Sequence, residues 1–274
     1  MDAIRDTTHS LRASPLFTLG LLLTLLAAGF NGLMVFLMML EVDLPGAFGQ
    51  MTHFQEPHHR IHDLTFGFLF IPAIVGILAQ VRRPAENVAG QVMALIPTVS
   101  LLLVVLITAL AGNTRVFQPP WVTVGAAALI AIGLHPAGRE FFRSFRVARA
   151  NRMMVALVVV AALPLLLFAA TNIGLQVSGA DDHAAAGHYG FMAAFSFTII
   201  GVGLLASLRP YGWRLTAWVA GLLPALLGFV SLIYPVSSSL RLPWAFAAIA
   251  WGAGFVVTAE RTRHADGPMP FGQE

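Results

Sequence analysis

The chain has 274 residues, of which 57% are hydrophobic and 11% charged, and its mean hydropathy of +0.78 is too high for one globular core in water. Sixteen arginines and thirteen acidic residues give a formal net charge of +3. Since cysteine is absent, disulfides, thiolate metal sites and iron–sulfur clusters are excluded, and a metal or cofactor must be held by histidine, carboxylate or methionine. The composition predicts an all-α integral membrane protein whose main partner is the lipid bilayer.

Eight apolar segments are readable along the chain, each close to the ~20 residues that a helix needs to cross ~30 Å of hydrocarbon. The aspartates, glutamates and arginines fall outside these segments, as expected when a charge at mid-bilayer costs at least ~2.5 kcal/mol. We therefore predict eight transmembrane helices, of which the fourth and eighth are the shortest. In chain order the segments are 16–40, 64–81, 91–112, 121–135, 153–177, 189–208, 215–234 and 243–259.

The arginines are unevenly distributed between the connecting segments. With the N-terminus inside, thirteen of the sixteen lie on the inner face, and only Arg60, Arg115 and Arg241 lie outside. The positive-inside rule therefore predicts that both termini are cytoplasmic, in what we expect to be a bacterial plasma membrane. The arginine-rich segment 136–152 is predicted to contact the inner leaflet of the membrane. This contact accounts for the excess of positive charge, so no nucleic-acid partner is predicted.

The two halves of the chain share landmarks in the same order and at similar spacing. A duplicated unit explains this most simply, and since each unit has four helices, both would enter the membrane in the same direction. We predict two parallel four-helix-bundle repeats, over 1–135 and 153–259, joined by the cytoplasmic linker 136–152 and followed by a disordered cytoplasmic tail, 260–274. The landmarks are His62 and His188, Arg83-Pro84 and Arg209-Pro210, Leu95-Ile96-Pro97 and Leu222-Leu223-Pro224, and Pro120-Trp121 and Pro243-Trp244.

A histidine-rich stretch precedes the second apolar segment. Pro57 would begin the second helix at its first position, just before the histidines. His58 and His62 would then share one face of the helix, and His59 and Asp63 an adjacent face. Either pair could hold a metal ion, or an imidazole oriented by a carboxylate.

The sixth apolar segment also begins at histidines. Asp182 is a suitable N-cap for it, and His188 corresponds to His62 in the other half. His183 and His188 are five residues apart, about 140° around one helix, so we expect that they do not bind one ion together. The predicted metal ligands are His58, His62, Asp63 and His183.

Six other polar residues are expected to have no part in a functional site. Three histidines at cytoplasmic ends are expected to be solvated: His9, His135 and His264. Three polar residues within apolar segments are expected to form interhelical hydrogen bonds: Asn31, Asn172 and Gln176.

The first outer loop contains Glu56-Pro57-His58-His59-Arg60, which fits a Glu-x-x-His-Arg pattern. This motif, together with the predicted layout of eight helices in two four-helix repeats, resembles heme A synthase. The resemblance implies that Glu56 takes part in oxidising a heme methyl group, that His59 ligates heme beside Arg60, and that His188 ligates a resident heme b. On this interpretation the chain is a heme-modifying oxidoreductase or acts in respiratory oxidase biogenesis.

The chain also departs from the family pattern. It lacks the histidines that the family carries at the outer ends of helices four and eight, so the resemblance is to a divergent member or a structural relative. Internal alignment pairs His188 with His62, whereas the family motif selects His59. Both His59 and His62 therefore remain candidate ligands for heme, or for another porphyrin or small hydrophobic molecule.

Two other classes of function are open. The histidines and Asp63 form a ligand set that suits zinc or copper, as in a metal-binding membrane protein that could be a hydrolase. Alternatively, the chain is a non-catalytic transporter or assembly factor with incidental histidines. The scarcity of intramembrane carboxylates argues against ion-coupled transport. Heme, zinc and copper thus remain alternative cofactors, and the oligomeric state is not predicted.

Overall fold

The computed structural model describes residues 14–39, 57–81, 84–113, 119–147 and 150–262, and these residues contain helices and turns but no strand. The all-α prediction is therefore confirmed over the described part of the chain. In chain order the helices are α1 Pro15–Met39, α2 Pro57–Val81, a 3-10 turn Pro84–Glu86, α3 Val88–Leu110, α4 Pro119–Gly133, α5 Arg139–Val147, α6 Arg152–Ser178, α7 Asp182–Ala186, α8 His188–Leu208, α9 Trp213–Ile233 and α10 Leu242–Thr262.

Seven of the described helices are long and apolar enough to cross a membrane: α1, α2, α3, α6, α8, α9 and α10. Large apolar side chains on their outer surfaces, such as Leu110 and Val160, are exposed, as is compatible with contact with lipid. The helix at the fourth predicted segment, α4, has 15 residues and is shorter than the other seven. The eighth membrane crossing stays a prediction.

Each half of the molecule has a ring of four neighbouring helices. In the first unit, α1 and α3 each contact both α2 and α4; in the second unit, α8 and α10 each contact both α6 and α9. The units meet where α2 and α3 pack against α8 and α9. This interface carries much of the core, including Phe70, Met93, Met192 and Phe195. That the two units superpose as repeats stays a prediction.

Glycines allow the closest helix pairs to approach. A Cβ atom added at Gly76 would meet the carbonyl oxygen of Gly90, so α2 and α3 pack backbone to backbone at this point. Gly221 and Gly252 make the corresponding approach between α9 and α10. Small residues at such crossings are typical of helix packing in membranes.

The polar groups within the helices differ in part from expectation. Gln176 forms the expected bonds between helices, whereas Asn31 donates to Ala27 O and Asn172 to Phe168 O, each within its own helix. A side chain that donates to the carbonyl one turn earlier in its own helix lowers the free-energy cost of its burial, but it does not join two helices. The interhelical interpretation of Asn31 and Asn172 is therefore wrong, because their hydrogen bonds in the described residues stay within their own helices.

His135, expected to be solvated, is instead buried after the end of α4. Its Nε2 lies 3.2 Å from Gln80 Oε1, and its Nδ1 accepts a hydrogen bond from Ala137 N. The ring packs edge-on against Phe17 and also contacts Phe141. Burial lowers the pKa of His135 to about 4. His9 and His264 lie outside the described residues.

The arginine-rich linker contains a helix that docks on the bundle. Phe141 and Ser144 of α5 are buried, and Ser144 Oγ accepts a hydrogen bond from Tyr211 N in the turn between α8 and α9. Ala89 N donates to Tyr211 O, which joins that turn to the start of α3. We call this the arginine end of the bundle, and the opposite end, where α2 and α8 begin, the histidine end.

Candidate metal centre

Four imidazole rings converge at the histidine end, two from each unit. His59 and His62 lie near the start of α2, His183 lies on α7, and His188 is the first residue of α8. The ring centroids are 4.1 Å apart for His59 and His183, 4.9 Å for His62 and His183, 5.4 Å from His188 to both His59 and His62, and 5.7 Å for His183 and His188. We call these four residues the histidine cluster. It lies where the two units meet, as expected for the two repeated histidines facing a common region.

Helix α2 supplies two adjacent rings of the histidine cluster. It begins at Pro57, as predicted from the preference of proline for the first helical position. His59 and His62 are three residues apart, so they are neighbours on one side of the helix. Both are buried, and Ile61 between them is buried as well. The helix therefore presents both imidazoles to the protein interior.

A helix break brings His183 and His188 together. Asp181 caps α7 by accepting a hydrogen bond from Ala184 N, and α7 ends at Gly187, whose φ of 82° lies in the left-handed region that favours glycine. Helix α8 then starts at His188 in a new direction. The prediction that His183 and His188 cannot share an ion assumed one continuous helix, and that assumption is wrong.

The short helix α7 is fixed to its neighbours by Gln176. This fully buried side chain on α6 donates from Nε2 to Ala184 O at 2.7 Å and accepts at Oε1 from Gly190 N at 3.1 Å. Its backbone oxygen accepts a further bond from Asn113 Nδ2 after α3. One residue thus joins α6, α7 and α8 next to two of the histidines.

Tyr189 forms a polar and aromatic border to the histidine cluster. Its hydroxyl donates to Asp181 Oδ2 at 2.6 Å, and its ring stacks on His183 at 5.8 Å and meets His62 edge-on at 5.5 Å. Burial raises the pKa of Asp181, but the bonds from Tyr189 and from the backbone of Ala184 outweigh it, so the pKa is lowered overall. Asp181 is therefore held as an anion beside the cluster.

Three of the four histidines have the spacing of a metal site. One ring nitrogen each of His59, His183 and His188 lies within 4.8 Å of the other two. His59 and His188 are less than 10% exposed and His183 is half-buried. In His188, Nδ1 is buried without a hydrogen-bond partner in the described part of the chain. His62 stands outside this set, and its Nε2 lies 2.8 Å from Ser238 Oγ.

The spacing of the rings distinguishes between occupants. Four imidazoles bound tetrahedrally at the ~2.0–2.1 Å typical of zinc have ring centres about 5 Å apart, within the observed range of 4.1–5.7 Å. Axial histidines of one heme instead lie on opposite faces of the macrocycle. The stacked rings of His59 and His183 leave no room for a macrocycle between them. A metal ion lies in the plane of each imidazole that binds it, so the stacked rings of His59 and His183 must turn before both can bind one ion. With that adjustment, the spacing suits a single metal ion better than a heme held by two of these histidines.

The remaining predicted residues are distributed as follows. Asp63 is buried on α2 but does not belong to the three-ligand set, and Arg60 is half-buried near it. His58 lies in the first turn of α2, although its side chain is outside the described part, and Glu56 lies outside the described residues altogether. The sequence analysis missed Ser238 because nothing distinguishes it within the run Ser237-Ser238-Ser239.

Comparisons with known proteins give no further assignment. No protein-family model matches the chain, and no curated protein or solved structure matches it with significance. The relationship to heme A synthase therefore stays a resemblance in one motif and in layout.

Proposed function

We propose that this chain is a membrane protein that binds zinc or copper through His59, His183 and His188. The observation that carries the proposal is the convergence of three ring nitrogens within 4.8 Å of one another. Imidazole is a preferred ligand of both metals, and the chain has no thiolate to compete for a softer ion. A bound cation would also give a partner to His188 Nδ1, which is buried without a hydrogen-bond partner in the described part of the chain.

Three imidazoles suggest a role beyond structural binding. Structural zinc sites are closed by four protein ligands, whereas catalytic sites keep three and leave a position for water or substrate. Zinc lowers the pKa of a bound water to near 7 and so supplies a hydroxide nucleophile. We therefore favour a metal-dependent hydrolytic activity over passive storage of the ion. Tyr189 and the anionic Asp181 lie beside the histidine cluster and could orient a polar substrate.

We propose further that the histidine end faces outward across the plasma membrane. The support is the excess of arginines on the predicted inner segments. In this cysteine-free chain, Ser237→Cys at the histidine end and Ala150→Cys at the arginine end both introduce a thiol at an exposed position. An impermeant thiol reagent added to intact cells should label only Ser237→Cys, and Ala150→Cys should react only after lysis. Labelling of both from outside would contradict the orientation.

The metal content of the purified protein tests the binding proposal. The protein is prepared with an affinity tag that contains no histidine, because a polyhistidine tag binds the same metals. We expect one zinc or copper per chain by elemental analysis after equilibration and removal of free metal. His188→Ala and His59→Ala should each lower this ratio to near zero at the same free-metal concentration, since two imidazoles bind far more weakly than three.

His135→Ala is the matched control, because it removes a buried histidine at the other end of the bundle. It should leave the metal ratio unchanged. An equal ratio in the wild type, His59→Ala and His188→Ala would contradict the proposal. A colourless protein with stoichiometric metal is expected, whereas a Soret absorbance band in the purified protein would favour the heme hypothesis instead.

A further inference from the structure

One hydrogen bond links His62 of the histidine cluster to the connection between α9 and α10. His62 Nε2 lies 2.8 Å from Ser238 Oγ, and both side chains are buried, at 2% and 1% exposure. Ser238 belongs to the connection between α9 and α10, far along the chain from α2. This bond places a serine hydroxyl on the nitrogen of the one clustered imidazole that is outside the three-ligand set.

The position of His62 is close to that of a fourth ligand. Its ring centroid is 4.9 Å from that of His183 and 5.4 Å from that of His188, near the separation of about 5 Å expected for imidazoles around one tetrahedral zinc. In the orientation that the bond to Ser238 gives the ring, neither ring nitrogen of His62 belongs to the group of nitrogens that lie within 4.8 Å of one another. The orientation of the His62 ring therefore decides whether three or four imidazoles are available.

We propose that Ser238 is a positioning residue that holds His62 away from the metal and so keeps one coordination position open. This inference rests on the proposed metal site and specifies how that site is regulated. When the bond to Ser238 is broken, rotation of the His62 ring brings a fourth imidazole to the ion. The site then changes from an open three-histidine centre to a closed four-histidine centre.

The connection around Ser238 is ordered by bonds that do not involve His62. Ser239 Oγ donates to Val236 O and accepts from Val236 N, and Ser231 Oγ accepts from Leu240 N. These contacts hold the turn in place when the Ser238 hydroxyl is removed. Ser238→Ala therefore isolates the bond to His62, and Ser237→Ala is a matched control that removes an exposed hydroxyl from the same turn and leaves the ordering bonds of Ser239 intact.

The experiment counts the imidazoles bound to zinc by X-ray absorption at the zinc edge, on the purified full chain loaded with one equivalent of zinc. Zinc affinity is measured in parallel by competition with a chelator. We expect three imidazoles and one lighter oxygen ligand in the wild type and in Ser237→Ala. Ser238→Ala should show four imidazoles and bind zinc about tenfold more tightly, within the range by which residues behind the ligands usually tune metal affinity.

The double variant Ser238→Ala, His62→Ala identifies the added ligand. It should return to three imidazoles and lose the gain in affinity. Four imidazoles already in the wild type, or three in Ser238→Ala, would overturn the role of Ser238. Failure of the wild type to bind either zinc or copper would instead contradict the proposed function, and the inference with it. The wild-type and Ser238→Ala samples therefore separate the two claims.

Discussion

Buried histidines occur at both ends of the bundle, and their surroundings differ. At the arginine end, His135 has a neighbour for each ring nitrogen, Gln80 Oε1 and Ala137 N, and aromatic rings pack around it. At the histidine end, four imidazoles have one another as nearest aromatic neighbours, and His188 Nδ1 is buried without a hydrogen-bond partner among the described residues. The first arrangement satisfies both ring nitrogens, whereas the second is the place at which we propose a bound ion.

This contrast separates a structural histidine from a candidate ligand. Burial alone does not, since His135 and His188 are similarly buried. What differs is the chemistry of the neighbours: an amide oxygen and an amide N–H satisfy one neutral imidazole, but imidazoles facing each other offer several acceptor lone pairs to one small volume. The cost of leaving the buried His188 Nδ1 unsatisfied in a membrane protein supports the metal proposal, beside the convergence of the three ring nitrogens.

The largest effect is expected from Gln176→Leu, which removes the residue that fixes α7 beside α6 and α8. Ala184 O and Gly190 N lose their partner, at about 1–3 kcal/mol for each buried group left unsatisfied. Since α7 carries His183, we also expect metal affinity to fall by about 10–100-fold. Thermal unfolding in detergent and chelator competition measure the two effects.

Asn172→Leu is the control for Gln176→Leu. Asn172 lies one turn before Gln176 on α6 and is buried to the same extent, but it donates its hydrogen bond to Phe168 O of its own helix. It should change metal affinity by less than about twofold. If both variants weaken metal binding equally, the loss reflects general disturbance of α6 and not the attachment of α7.

His135→Ala should reduce stability while metal binding is unchanged. Loss of the packed ring and its hydrogen bonds should cost about 2–3 kcal/mol. Because burial lowers the pKa of His135 from about 6.5 in the unfolded chain to about 4 in the folded protein, its contribution is complete above pH 6.5 and is lost as the pH falls towards 4.

Metal-free protein is therefore compared at pH 7 and pH 5 with a chelator present. The wild type should lose more stability over this interval than His135→Ala does, since titration of the histidine cluster is common to both. An equal loss in the two proteins would contradict the buried, neutral state of His135.

The smallest effect is expected from Asp181→Ala, which removes the N-cap of α7 and the acceptor of the Tyr189 hydroxyl. Loss of an N-cap typically costs about 1 kcal/mol. Asp182→Ala, at the adjacent exposed position, should cost less than half of that. Comparable losses in both variants, measured by thermal unfolding at pH 7, would show that Asp181 has no special role.

Much of the fold follows from the sequence. Apolar segments of about 20 residues have few alternatives to a helix in a membrane, and helices are found at all eight predicted places. The sequence also gave the start of α2 at Pro57, because proline is favoured where the helix needs no N–H donor. The burial of His135 was mispredicted, because its position at the end of a helix does not reveal that α5 folds back over it.

The sequence indicated where the candidate site would lie, and the site itself stays a proposal. The repeated position of His62 and His188 pointed to the end of the bundle at which the four imidazole rings converge. The ligand set was not predictable, since it depends on the turn at Gly187 and on which side of α2 faces the second unit. A hydrogen bond such as that between His62 and Ser238 joins residues far apart in the chain and leaves no local pattern in the sequence.

The central claim is that one metal ion binds between His59, His183 and His188, and anomalous scattering tests it most directly. Crystals of the zinc-loaded protein are measured above and below the zinc absorption edge. The account predicts one anomalous peak at the histidine end, about 2.0–2.1 Å from a ring nitrogen of each of the three residues. The absence of a peak there, or a peak only at a site that none of the three contacts, would contradict it.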